Sequence, residues 1–148
     1  MWYSDLLSQE NKLCTYKLIK SKYEYEKYLD LVENPNMRSV VTKLRLSAHN
    51  LEIEVGRWKK IERNQRLCKF CKNGQIEDEL HFLCQCSMFT TERTKLYNQI
   101  SIINSDFYQM NDNGKFIYLM QFKNVELSNI VSNYVYTCFN KRQDLIQQ

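Results

Sequence analysis

Apolar positions recur at helical spacing in two long stretches of the chain. In the first they fall at offsets of 0, 3, 4, 7 and 11 from Met37. Asn34 just before it is a good N-cap, and Pro35 suits the first helical position. In the second stretch they fall at offsets of 0, 3, 4, 7, 8, 11 and 12 from Leu127. These patterns predict two amphipathic helices, and the second places Cys138 on its buried stripe.

Shorter patterns predict the remaining elements. Tyr23 to Val32 favours a short helix, and residues 87–103 favour another, with Ser87 as its cap. The apolar and polar residues of 49–55 instead alternate, which predicts a short extended segment. Together these elements predict a mainly α fold, a small helical domain of about five to six helices with that extended segment inserted.

Composition agrees with one helical domain. The chain has 148 residues, of which 43% are hydrophobic, with only three glycines and one proline, too few for a turn-rich β-sandwich or barrel. We expect an N-terminal helical part over 1–65, a cysteine-rich motif over 66–90 and a C-terminal helical part over 91–148. No apolar run reaches the ~18–20 residues that cross a bilayer, and the N-terminus does not read as a secretory signal. We therefore expect an intracellular protein, cytoplasmic or nuclear, with no membrane partner.

Four of the six cysteines lie close together, around one histidine. Cys68 and Cys71 form a C-x2-C pair, and His81 follows after nine residues. Thiolates and imidazole at such spacing, in a chain with no export signal, indicate a reduced metal site rather than disulfides. The spacing alone does not decide which cysteine is the fourth ligand. Cys84 shares a helical face with His81, whereas Cys86 would require the helix to end or unwind.

Four protein ligands would close the site, so the cluster predicts one structural Zn²⁺ per chain, embedded in the helical domain as a knuckle. The adjoining acids Glu77, Asp78 and Glu79 are expected at the start of a helix, where the macrodipole favours them. The two distant cysteines, Cys14 and Cys138, are expected to be core thiols.

Positive charge is concentrated immediately before and inside the cysteine cluster. Residues 57–72, here called the basic segment, hold seven cations and one acid, whereas the chain as a whole carries +4. Trp58 and Phe70 interleave with these cations, which favours contact with nucleic acid. Trp58 is either a base-stacking platform or a packing anchor. The candidate nucleic-acid-binding residues are Arg57, Trp58, Lys59, Lys60, Arg63 and Lys69.

Two other classes of function compete with nucleic-acid binding. One is a structural or protein–protein interaction domain in which zinc only staples the fold; cations that scatter or pair with acids would favour it. The other is an enzyme. The sequence contains no Ser/His/Asp constellation, P-loop or glycine-rich phosphate loop, and His49 is expected to be a hydrogen-bonding residue at a helix end. We therefore expect no enzymatic activity and no small-molecule substrate.

A family resemblance joins these features. The passage over residues 44–58 is followed, in order, by Cys68 and Cys71, then by Glu77-Asp78-Glu79, His81 and Cys86. This arrangement resembles the C-terminal zinc-binding region of reverse-transcriptase polyproteins of animal non-LTR retrotransposons. The similarity covers about residues 23–97. It implies the ligand set Cys68, Cys71, His81 and Cys86, and it treats Cys84 as a variable position.

The same resemblance implies a function and a context. It implies a zinc-stabilised module that derives from, or works beside, a larger polyprotein or partner chain. The charge and the aromatic residues of the basic segment predict RNA or single-stranded DNA as the partner of this module. The chain carries no Tyr-x-Asp-Asp polymerase signature. The resemblance therefore implies no polymerase activity for these 148 residues.

Overall fold

The structure, a computed structural model, describes residues 12–148, and helices dominate them. Five α-helices have seven residues or more, which confirms the mainly α prediction. Within the described residues there is no β-strand, only an isolated antiparallel bridge between Leu67 and Ile76. The α-helices are α1 (Cys14–Ile19), α2 (Tyr28–Leu31), α3 (Pro35–Arg45), α4 (Glu52–Trp58), α5 (Thr90–Ile103), α6 (Asp112–Met120) and α7 (Val125–Gln147).

Helix α7 is the centre of the packing. It lies against α2, α3 and α5, while α6 packs on a short π-helical turn, His81–Gln85, and on α1. The apolar stripe of α7 is buried as the periodicity predicts, with Val135 and Cys138 fully inaccessible. Phe82 and Phe89, from the segment between α4 and α5, complete the core beside it. None of the helices within residues 12–148 is long and apolar enough to cross a membrane.

Helix ends are defined by local hydrogen bonds. The Asn34 side chain accepts from the amides of Asn36 and Met37, so the predicted cap of α3 is confirmed. At its other end, α3 stops with Ser47 at a φ of 51° while the Ala48 amide donates to the Lys43 carbonyl. This is a Schellman-type ending.

The predicted extended segment over 49–55 is wrong beyond its first residues, because Glu52–Trp58 forms α4. The physical reason lies 25 residues away in the chain: the Glu52 amide donates to the Glu77 carboxylate at 2.8 Å. The next amide, of Ile53, donates to the Glu77 carbonyl at 3.1 Å. Two otherwise unsatisfied first-turn amides are thereby paired. Alternation in the sequence cannot reveal a cap from a distant residue.

Three smaller predictions are also corrected. The helix predicted over Tyr23–Val32 is limited to Tyr28–Leu31. The Lys20 ammonium donates to the Glu24 carbonyl and to the Glu26 carboxylate, and these bonds hold the preceding residues as a loop. Ser87 begins a 3-10 turn and makes no side-chain cap. Cys14 is exposed rather than a core thiol.

Candidate metal centre and basic surface

The C-x2-C pair lies in a tight reversal of the chain. The amide of Cys68 donates to the Gln75 carbonyl at 2.8 Å, and the amide of Glu77 donates to the Arg66 carbonyl at 3.0 Å. The chain turns between these bonds at Lys72 and Gly74, which have φ of 55° and 65°. Such left-handed conformations are cheap for glycine. The reversal brings both cysteines onto the side that faces His81.

A π-helical turn brings His81 and Cys86 together. The Asp78 carboxylate accepts from the His81 amide at 2.8 Å and starts the turn. The Cys86 amide then donates to the His81 carbonyl at 2.7 Å, an i to i+5 bond. A π-helical turn is closed by an i to i+5 bond instead of an i to i+4 bond, so it brings the residue five positions on beside the first one. The helix widens at this turn and then ends at Gln85, as the sequence required for Cys86 to be a ligand.

Four potential ligand atoms converge in this knuckle. One atom each of Cys68, Cys71, His81 and Cys86, here called the metal cluster, lie within 4.8 Å of one another. The sulfurs of Cys68 and Cys86 are 3.9 Å apart, and the Cys71 sulfur is 3.4 Å from His81 Nε2. Tetrahedral zinc, with its usual bond lengths, separates sulfur pairs by about 3.8 Å and sulfur from nitrogen by about 3.6 Å. The donor set and its spacing therefore fit a tetrahedral metal ion.

The cluster is shielded from solvent. Cys68, His81 and Cys86 are buried and Cys71 is half-buried. His81 presents Nε2 to the cluster, while its Nδ1 is buried and has no hydrogen-bond partner in the part of the chain that the structure describes. Ligation would therefore run through Nε2.

Two of the thiols, Cys68 and Cys86, lie within hydrogen-bond distance of each other. The hydrogen bond with Cys86 lowers the pKa of the Cys68 thiol, and the backbone amides of Cys71 and Phe70 act in the same direction. The same hydrogen bond, together with burial, raises the pKa of Cys86. A lowered thiol pKa favours metal binding, because thiolate is the ligand form.

Cys84 belongs to a different environment. It is buried, and burial raises its pKa to about 12. It is absent from the metal cluster. Cys138 is a buried core thiol whose pKa burial likewise raises to about 12. Of the two alternatives for the fourth position, the structure brings Cys86 to the cluster.

The acids between the two halves of the knuckle do different work. Glu77 is 1% exposed and forms a two-pronged ion pair with Arg142 of α7, with both contacts at 2.8 Å. Together with its capping of α4, this contact makes Glu77 a junction between knuckle, α4 and α7. Sequence reasoning missed this role. One signal was available: Arg142 continues the apolar stripe of α7, and a charge on a buried stripe needs a buried partner.

Glu79 and His49 form a second buried contact. The Glu79 carboxylate accepts from Ser47 at 2.9 Å and lies 2.8 Å from His49 Nε2. His49 Nδ1 accepts from the Leu51 amide, so Nε2 carries the proton and donates. Burial raises the pKa of Glu79, but its contacts with His49 outweigh burial and leave the pKa below its usual value. His49 is the structural hydrogen-bonding residue that was predicted.

The cations of the basic segment do not form one free face. Lys59 and Lys60 are exposed, and no ion pair joins either to a residue the structure describes. Three others lie beside carboxylates, at separations typical of ion pairs. These pairs are Arg57 with Glu54 at 3.2 Å, Arg63 with Asp78 at 3.9 Å and Lys69 with Glu52 at 2.7 Å.

The two aromatic residues of the basic segment differ in accessibility. Trp58 is 80% exposed, so the alternative that it is a packing anchor is wrong. Phe70 is half-buried beneath the Arg142 guanidinium, which lies 5.3 Å from its ring centroid. Trp58 alone of the two presents a free ring face.

No family model, curated protein or solved structure matches the chain.

Proposed function

We propose that the metal cluster holds one structural Zn²⁺ ion. The convergence of three thiols and one imidazole within 4.8 Å carries this proposal. Zinc favours tetrahedral sites of nitrogen and sulfur, whereas calcium and magnesium favour oxygen. Four protein ligands leave no position for water or substrate, which supports a structural role and no catalytic one.

Cobalt substitution tests the ion and its geometry together. Co²⁺ added to the metal-free protein should give the strong visible bands of a tetrahedral thiolate site, and Zn²⁺ should remove them. Cys14→Ser is the control and should give the same bands, because it removes an exposed thiol outside the cluster. Weak absorption typical of octahedral cobalt, or bands that Zn²⁺ leaves unchanged, would contradict the proposal.

We propose further that the zinc-loaded module binds unpaired nucleic acid through Trp58, Lys59 and Lys60. Support comes from the 80% exposure of Trp58 beside two lysines without ion pairs to described residues. Aromatic faces next to cations suit single strands, because every base has a stacking face and every linkage a phosphate. The resemblance to retrotransposon zinc-binding regions is consistent with RNA or single-stranded DNA as the partner, within or beside a larger polyprotein.

Salt dependence tests this binding. Each phosphate contact on a single strand adds about 0.7 to the slope of log affinity against log salt. Lys59→Ala with Lys60→Gly should flatten the slope by about 1.4. Glycine is chosen because Lys60, which follows α4 and its C-cap, has a left-handed φ of 56°. A folded, zinc-loaded protein that does not bind polynucleotide at low salt would overturn the proposal.

A protein–protein interaction domain is the second candidate. The observation in its favour is that Arg57, Arg63 and Lys69 are already partnered by carboxylates. In this alternative zinc only staples the fold, and Trp58 is an anchor for another chain, as exposed tryptophans often are. Failure of the polynucleotide experiment would leave this candidate standing.

A further inference from the structure

An apolar groove of about 460 Å³ opens beside Trp58. Its walls come from three separate helices: Val40 of α3, Val55 of α4 and Phe139 of α7. Trp58, at the end of α4, lines it as well. Ligand sites are commonly apolar concavities of about 300–1,000 Å³ with a few polar groups. The groove falls within that range.

The end of α4 holds Trp58 at this groove. The Lys60 amide donates to the Arg57 carbonyl at 3.1 Å, and the Ile61 amide donates to the Gly56 carbonyl at 2.9 Å. This pair of bonds is the Schellman ending, with Lys60 in the left-handed position. An exposed indole on a fixed backbone is a pre-organised stacking surface, which reduces the ordering cost of binding.

The charge around the groove favours an anionic occupant. Lys43 of α3 lines it, and Lys59 and Lys60 follow Trp58 directly in the chain. Glu54 is the acid among its lining residues, and Arg57 neutralises it. An uncharged apolar peptide would use the walls and leave the lysines without partners. A strand that carries both flat bases and phosphates would use both.

We propose that this groove is a nucleobase site. One unpaired base stacks on Trp58 and enters over Val40 and Val55, while Lys43 contacts a phosphate of the same strand. A base within a duplex cannot enter, because it is stacked and paired on both sides. The inference rests on the proposed nucleic-acid binding and adds a pocket and a residue, Lys43, that lies outside the basic segment.

Tryptophan fluorescence measures the occupation of the groove. The chain has two tryptophans, so Trp2→Phe leaves Trp58 as the reporter. The probes are a 12-nucleotide single-stranded oligouridine, an abasic strand with the same number of phosphates and a 12-base-pair duplex. We expect oligouridine to quench the fluorescence, and the other two to leave it nearly unchanged. The abasic strand should bind roughly 5- to 150-fold more weakly, which corresponds to the loss of one stacked base.

Two variants separate the groove from the lysines beyond it. Ala48 is exposed and lines the groove, so Ala48→Leu narrows it without a change of charge. It should weaken oligouridine binding several-fold and leave the salt slope unchanged. Lys43→Gln should lower that slope by about 0.7. Lys95→Gln, at an exposed position on α5, is the matched control and should change neither quantity.

The outcomes distinguish the groove from the proposed function. If oligouridine still quenches Trp58 and binds more tightly than the abasic strand, but Ala48→Leu and Lys43→Gln have no effect, the groove proposal is overturned and the proposed function survives. If no strand binds at low salt, both fail. The groove would belong to a protein partner if an uncharged Leu- and Phe-rich peptide bound instead of oligouridine and Ala48→Leu weakened that binding. This result would also overturn the proposal. Retained zinc content and helix signal show that each variant is folded.

Discussion

The knuckle over residues 66–86 and the stretch over residues 57–63 adjoin in the chain, yet their side chains behave in opposite ways. In the knuckle, side chains from the turn and the π-helix converge within 4.8 Å. In the stretch over 57–63, side chains diverge, so that Arg57 and Arg63 reach carboxylates while Lys59 and Lys60 reach solvent. The spacing of cysteines and histidine can therefore predict a common site, because all the ligands must reach the same ion. A concentration of cations in the sequence cannot predict a common surface, because each cation can pair with a different carboxylate.

Removal of the metal should have the largest effect. We expect a chelator to abolish amide protection across residues 66–90, because metal binding in such a knuckle is folding free energy. Protection in α4 should fall with it, since its first two amides donate to Glu77. Helices α3 and α5 both pack on α7, and these three helices should keep much of their protection. Hydrogen exchange by mass spectrometry measures this. Unchanged protection after verified metal loss would contradict it.

Loss of the Glu77 carboxylate should come next. Glu77→Ala leaves Arg142 buried without its carboxylate partner and the Glu52 amide without its cap. We expect the free energy of unfolding to fall by about 3–5 kcal/mol, as for other broken buried ion pairs. Urea denaturation measures it. A loss below about 1 kcal/mol, the size typical of exposed pairs, would show that Glu77 is not a junction of the fold.

Gly56→Ala should be destabilising although alanine favours helices. A Cβ at this position would lie 2.5 Å from Arg66 Cγ. The Arg66 side chain cannot easily move, because it donates to the carbonyls of Ile61 and Ile53. Overpacking costs about 1–3 kcal/mol, and helix propensity returns about 1 kcal/mol. Denaturant midpoints should show that Gly56→Ala lowers the free energy of unfolding of the natural chain. In a chain that already carries Arg66→Ala, the same change should instead raise it. A gain in the single variant would contradict the contact.

The exposed ion pairs should matter least. Lys69→Ala and Arg63→Ala should each change the free energy of unfolding by about 0–1 kcal/mol, because both cations lie mostly in solvent. They should also flatten the salt slope of oligouridine binding less than Lys59→Ala does, since their charges are already partnered. Equal slope changes for all these lysines and arginines would show that the ion pairs open on binding.

Several features of this fold could be predicted from local sequence. The stripes of α3 and α7 and the Asn34 cap each depend on residues within one helix or one turn. The assignment of residues 49–55 failed because α4 begins on the side chain of Glu77, a contact that no local pattern contains. The choice between Cys84 and Cys86 depended on a π-helical turn. Such a turn differs from an α-helix only in having an i to i+5 hydrogen bond in place of an i to i+4 bond, and it has no reliable sequence signal.

Native mass spectrometry with metal analysis tests the central claim most directly. The untreated full chain should carry one zinc, and a chelator should remove it. Cys84→Ser should keep that zinc, because Cys84 lies outside the metal cluster, whereas Cys86→Ser should lose tight binding. A folded chain without metal would contradict the account. So would the reverse pattern, with zinc retained by Cys86→Ser and lost from Cys84→Ser.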